Sequence, residues 1–584
     1  MTRLYTATAI GAMLVAAPAL AEITPASVWE QLSGYYEATG MTVETAAVEE
    51  AGDTVTVRGL VLKTASGEAG SDDHAELVYT VGDVELTASG DGGVTIDFPD
   101  QSTASALLTA PPSSDPAEDV DAAVDRADDA AQTAADAAED AATSPDADAA
   151  APESDDAGTE SGDTVAEDGT ADPAAADTPT ADTGDTAEDA EIETVTIDIS
   201  IANPGETVTV TEDGAGNVYE YQFPTFEMNV DRLTTPEGEV IENPGKLTVT
   251  KFIGTDRLES GESLTLDQTG KAESVALNID FSHESGTALI DATIADLAFE
   301  GKGTVPPGTN MGPELSAAMK AGLNADGAIT AGPTTINLDV TTNEPDAGPQ
   351  QVKANSTMES LGLDFMMADG RIGYSGTTGK STTEVTVPDV PVPLSYSADS
   401  AQFNIEVPVI AAAEPQPFKF VYGIDGMTLS DGIWGMFDPQ SVLPRDPASI
   451  MVDMSGTARL DVDVLDTAAM EDPNVAPGAV NSLKLNNVDI SALGANVSAT
   501  GDLTSPEGGD LSTPLGTINA RLTGINPLFD KLVQAGLLPE DQAMSIRMMM
   551  AMFAKPDAQN ADVMISDVEF RDGGSIFVNG QQVK

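Results

Sequence analysis

Imidazole, thiol and paired carboxylates are the groups from which most hydrolytic and metal chemistry is built, and this sequence supplies them unevenly. It has no cysteine, and His74 and His283 are its only histidines. Each stands alone among polar neighbours, so a His-based zinc site or a Ser-His-Asp relay lacks its parts. Both read as surface histidines. Carboxylates are plentiful, with 98 Asp and Glu against 24 Lys and Arg. In DVDVLD, Asp461 and Asp463 are two apart, which on a strand sets both on one solvated face before it makes a glycosidase pair. No EF-hand loop, glycine-rich nonapeptide repeat, GxxxxGK[ST], GxGxxG or GxSxG motif occurs. The reading is a protein that is not an enzyme, takes no cofactor, and associates with cations only weakly and without specificity.

The most unusual apolar feature lies near the C-terminus. Met544, Met548, Met549, Met550 and Met552, with Ile546 and Phe553, make a helix apolar on more than one face, and the unbranched thioether suits packing on irregular partners. A core or sheet-capping helix is the plain reading. The sharper one makes Met544, Met548, Met549, Met552 and Phe553 the lining or closure of a hydrophobic groove.

The elements that would position such a groove follow from charge and periodicity. A formal charge of −74 repels phosphate backbones and anionic bilayers, so nucleic acid is not an expected partner. The first residues carry Arg3, a short apolar run from Leu4 to Pro18, and Ala19-Leu20-Ala21 as a small-x-small site. Residues 1–21 therefore read as a signal peptide cleaved before Glu22, leaving no transmembrane anchor and a periplasmic address, with secretion as the alternative. In ITPASVWEQLSGYYEATG, Thr24 can cap a helix, Pro25 suits its first turn, and Val28, Leu32 and Tyr35 share a face.

From Met41 the period becomes two. Val55, Val57 and Val61 are expected on one face, as are Leu77, Tyr79 and Val81, then Val94, Ile96 and Phe98. Residues 22–110 thus read as a helix and a β-meander. Between 111 and 190 there are 25 acidic residues, 25 Ala and one basic residue, Arg126, too little apolar surface to offset ordering entropy. A marginal helix over 120–142 and disorder beyond Thr143 are expected there. Alternation resumes at Val195, Ile197, Ile199 and Ile201, so the tract is an insertion between strands, which costs only about 0.6 kcal/mol per doubling of loop length. Residues 191–300 continue the N-terminal β lobe. Residues 301–584 form a second lobe with a helical turn at GPELSAAMKAGL, a helix over 527–555 and a terminal hairpin around RDGG.

Four stretches carry a resemblance: ITPASVWEQLSGYYEATGMTV; WGMFDPQSVLPRDPASIMVDMSGTARLDVDVLD; TGINPLFDKLVQAGLLPEDQAMSIRMMMAMFAK; and DVEFRDGGSIFVNGQQV. They resemble the domain of unknown function 2125 family of exported proteobacterial proteins, DPQSVLPRDP (Asp438 to Pro447) being the most specific part. More remotely, NVDISALGANVSATGDLTS followed by a helix and a glycine hairpin is similar to the AsmA-like envelope proteins. That similarity implies sheets rolled around an apolar groove and a part in lipid transport and envelope homeostasis. The lack of a membrane anchor departs from that group. The expected fold is mainly β: long antiparallel meanders in two lobes, capped by short helices, with one disordered insertion. The expected partner is a lipid or another envelope component, held in a sheet groove; the alternative is a scaffolding protein with closed lobes and no ligand.

Overall fold

The computed structural model describes residues 23–38, 41–66, 74–90, 92–110, 193–214, 216–236, 238–260, 263–283, 286–306, 315–344, 348–388, 390, 392–466, 470, 476–506, 510–560 and 562–584. Residues 1–21 with Ala19 and Ala21, the expected cleavage point at Glu22, and the tract 111–190 with its expected helix over 120–142 lie outside them. Two compact units divide the chain. One comprises Met1–Ala65, Ala75–Leu107 and Val195–Lys584. In the other, Ser66–His74 and Leu108–Thr194, the His74 carbonyl accepts from the Thr109 amide and hydroxyl, both at 2.8 Å.

The first helix, α1 (Pro25–Ala38), starts where the sequence places it. Thr24 Oγ1 accepts from the Ser27 amide at 3.1 Å, and Val28 and Leu32 are buried. Thereafter the described chain is mainly β, its strands joined in one antiparallel sheet. The lobe boundary expected between 300 and 301 falls inside the strand Gly286–Val305, which pairs with Leu264–His283 on both sides of that point. Among the described residues four more short helices follow: α2 (Leu315–Lys320), α3 (Asp431–Phe437), α4 (Ile525–Gln534) and α5 (Glu540–Phe553).

A single crease crosses the sheet. The strand Val240–Ser260 keeps one register with Leu264–His283 on either side of Lys251, Thr250 facing Ser274 and Ile253 facing Lys271. No residue is inserted there, yet Lys251 has φ 51 and Asp296, in the same row of the next strand but one, has φ 49. Further along the row the chain breaks between Ala331 and Thr334, Met358 and Leu361, and Thr378 and Ser381, and turns at Gly426 with φ 63. Toward the N-terminus, left-handed backbone recurs within strands at Gly59 (φ 59) and Gly82 (φ 105). A left-handed residue rotates the chain by much less than the half-turn of a strand residue, so alternation slips by one at the crease.

That slip corrects the sequence reading of the early strands. Val55 and Val57 are buried as expected, but Leu60 and Leu62 follow them instead of Val61, because Gly59 intervenes. Val57 and Leu60, and likewise Val81 and Val84, lie three apart and belong to one core. The step of three therefore keeps the apolar residues on one side of both arms of a strand.

Two further expectations change. Residues 527–555 form α4 and α5 rather than one helix: the Gly536 amide donates to Val533 O at 3.1 Å and Leu537 to Leu532 O at 2.9 Å, with Gly536 at φ 77. This is a Schellman ending, and Pro539 then opens α5. Asp461 and Asp463 are not strand neighbours on a solvated face, because Ala448–Leu460 ends before them. Asp463 instead accepts from Ser316, Lys320 and the Ala411 amide, tying α2 to the segment after Pro408. The terminal hairpin, Val563–Arg571 with Ser575–Val578, forms as read.

Candidate apolar-ligand surface

Because residues facing each other across a ladder share a side of the sheet, the pairings sort side chains into two sides. On one arm, Leu247, Leu277, Ala292 and Ile336 stand in a row. Across the crease, Phe299, Ile329, Leu363, Gly376, Phe403 and Tyr422 form another. The reverse side carries rows such as Lys246, Asn278, Asp291, Asn337, Asn355, Glu384 and Ser395. Asn278 Nδ2 donates to Asp291 Oδ1 at 2.7 Å within it. One side is thus apolar and the other solvated, as an antiparallel sheet allows.

The apolar side is filled at one end and open beyond it. Val57, Leu60 and Val84, all 0% exposed, pack with Val28 of α1, and Trp29 lies against them. Past that core no second layer covers the sheet among the described residues: Ile336, Ile329 and Tyr422 expose 43%, 43% and 42%. Met319 of α2 and Leu323 cover Met367, Phe365 and Ala325 at one margin. Near another, α3 lies beside the strand Leu394–Ala398 and is closed by buried Asp438, whose carboxylate accepts from the Val442 and Leu443 amides at 2.9 Å. The open stretch crosses the strands from Val240–Ser260 to Gln416–Leu429, seven steps of about 4.8 Å, or about 34 Å. On the polar side the exposed aliphatics Ile253 and Leu289 line shallow hollows of about 550 and 490 Å³.

One polar cluster interrupts the apolar side beside the filled core. Asp256 faces Gln268 and Tyr219 in the ladder, and Gln268 Nε2 donates to its Oδ1 at 3.2 Å. The Tyr221 hydroxyl also bonds to it, and burial outweighs both bonds to raise the Asp256 pKa. Burial pushes the Tyr221 phenol far up, Asp256 adding to the effect. Tyr219 donates to Gln31 Oε1 of α1 at 2.6 Å, and Asn217 donates to the same oxygen at 2.7 Å. Elsewhere, burial together with Asp97 and Asp100 raises Glu206 to about 7, and its Oε2 is buried without a hydrogen-bond partner.

The residues singled out in the sequence fall elsewhere. Met544, Met548, Met549, Met552 and Phe553 stand outward on α5, Met548 67% exposed, while Ala543 is the buried residue of that helix. The helix end is held by the last hairpin, Ser566 Oγ donating to Phe553 O at 2.6 Å. His283 Nε2 meets the Glu239 carboxylate. Among the described residues, no group of three His, Cys, Asp or Glu could hold a metal, and no helix is long and apolar enough to cross a membrane. The sequence reading missed Asp256 and the crease. The signal was present as apolar pairs three apart, Val249 with Phe252 and Ile294 with Leu297.

Residues 332–577 match the family described as "Uncharacterized protein conserved in bacteria (DUF2125)", a span that starts at the crease and runs through α3, α4 and α5 into the last hairpin. None of the curated proteins matches the chain.

Proposed function

We propose that the protein, whose residues 332–577 match the DUF2125 family, is an exported, periplasmic, non-enzymatic carrier holding an apolar ligand such as a lipid on its creased sheet. The observation that carries the reading is the run of half-exposed apolar rows on one side of the sheet, with no second layer over them among the described residues. Contiguous apolar surface of that kind is rare on soluble proteins unless something binds it. An extended acyl chain of sixteen carbons is about 20 Å long, within the about 34 Å of open strands. The exposed methionines of α5, which can repack around varied shapes, form a second apolar surface for the same ligand.

Export rests on residues 1–21, with cleavage between Ala21 and Glu22. An intact mass beginning at Glu22 would support it, and a retained Met1 would count against it. The similarity to AsmA-like envelope proteins, and a role in envelope homeostasis, belong to the same proposal. The filled core beneath α1 favours a second reading, a scaffold without ligand, for that end of the sheet.

Organic extraction and mass spectrometry of the chain from Glu22, purified without detergent, separate the two. Stoichiometric lipid supports the carrier. If none co-purifies and none binds when offered, the scaffold takes its place.

A further inference from the structure

In the strands from Asn217–Thr234 to Gln416–Leu429, away from the crease and the hairpin ends, Asp256 is the one carboxylate on the apolar side among the described residues. Lys246, Lys271, Lys302, Lys353, Arg371 and Lys419 all lie on the polar side. Among the described residues no cation neutralises Asp256 there; its partners are the Tyr221 hydroxyl and the Gln268 amide. A carboxylate has about four acceptor positions, so two donors leave it room for another.

Space is present beside it. The next positions in its row are Gly301 and Gly327. A Cβ at Gly301 would meet only Asp326 O, at 3.6 Å, and one at Gly327 only Glu300 O and Gly301 Cα, at 3.3 and 3.9 Å. Beyond the glycines, Phe365 and Tyr374 close the row with ring centroids 5.2 Å apart.

We propose that Asp256, with Tyr221 and Gln268, holds the ammonium end of an amphiphile whose chain lies on the apolar rows. The proposal rests on the carrier reading above. An ammonium group supplies the N–H donors and positive charge that the carboxylate lacks, and the ring of the partly buried Tyr221 adds a π-face for a cation. A carboxylate or phosphate head would instead meet Asp256 at reduced dielectric, within the field of a chain of net charge −74.

The test uses the full chain loaded with diphenylhexatriene, an uncharged apolar reporter, and displaces it with octadecylamine, octadecanoate or putrescine at physiological ionic strength. The expected result is that octadecylamine displaces the reporter at concentrations about tenfold lower than octadecanoate, and that putrescine leaves it in place. Asp256→Asn should bring the two long-chain ligands to within about twofold of each other, each measured against that variant's own reporter affinity, and Asp256→Glu should keep the preference. Equal displacement by amine and acid in the wild type, or an undiminished preference in a folded Asp256→Asn, overturns the Asp256 assignment while leaving the carrier standing. Displacement by putrescine overturns the joining of head and chain in one site. If the reporter does not bind at all, the carrier reading itself fails.

Discussion

Leu60 and Leu363 are the same residue type on the same side of the sheet, but one is 0% and the other 37% exposed. Truncating each to alanine asks whether the open stretch is open. At Leu60, within the core under α1, the loss comprises transfer of the side chain plus a cavity, about 2–5 kcal/mol. At Leu363 about two-thirds of the side chain is covered by folding, and water fills the space it leaves, so only the transfer part of about 1–1.5 kcal/mol is lost. The remaining third is what a ligand would cover, about 0.5–1 kcal/mol, or about two- to fivefold in Kd for an apolar reporter. Denaturant unfolding followed by circular dichroism reads the first pair of values, and reporter titration the second. Equal destabilisation by the two substitutions, with reporter binding unmoved by Leu363→Ala, would show Leu363 to be covered by protein and refute the open surface.

Three other outcomes follow from the same structure. Glu206 has a folded pKa of about 7 against an ordinary 4.5, so the folded state binds the extra proton and stability falls as pH rises between those values. Glu206→Gln should therefore stabilise the protein by roughly 1–2 kcal/mol at pH 8, after allowing for solvent screening, and by almost nothing at pH 4, as melting at the two pH values will read. Asp463 behaves oppositely: despite burial, donors from Lys320, Ser316 and the Ala411 amide hold its pKa down, so its contribution is present above the ordinary carboxylate range and lost as pH falls through the depressed value. Asp463→Asn should lower the melting temperature at pH 7 and leave it nearly unchanged at low pH. At the crease, Lys251→Gly should raise stability by about 1 kcal/mol in chemical denaturation, because φ 51 is strained for a side-chain-bearing residue and the ion pair with Glu273 is exposed.

Much of this architecture can be read from residue types. The cap at Thr24, the glycine hairpin at the end and the alternation of most strands all report local physics, and they formed as the sequence indicates. The crease is harder to see, because a step of three looks like an irregular strand until neighbouring strands are aligned. Only the ladder reveals that Lys251, Asp296 and Gly426 share one line. The expected groove lining on α5 came from methionine clustering, which does not say whether the residues face a core or solvent. Asp256 looked like one acid among 98 and is singled out only by the side of the sheet it occupies.

The most direct test of an apolar ligand on this sheet is photo-crosslinking in cells, with a light-activated side chain placed at Ile336 or Leu363 and, in matched variants, one residue on at Asn337 or Asp364. Ile336 and Leu363 lie on the apolar side, and Asn337 and Asp364 on the polar one. Lipid adducts from the first pair and none from the second are what the account predicts. Adducts from neither pair, or equally from both, would contradict it.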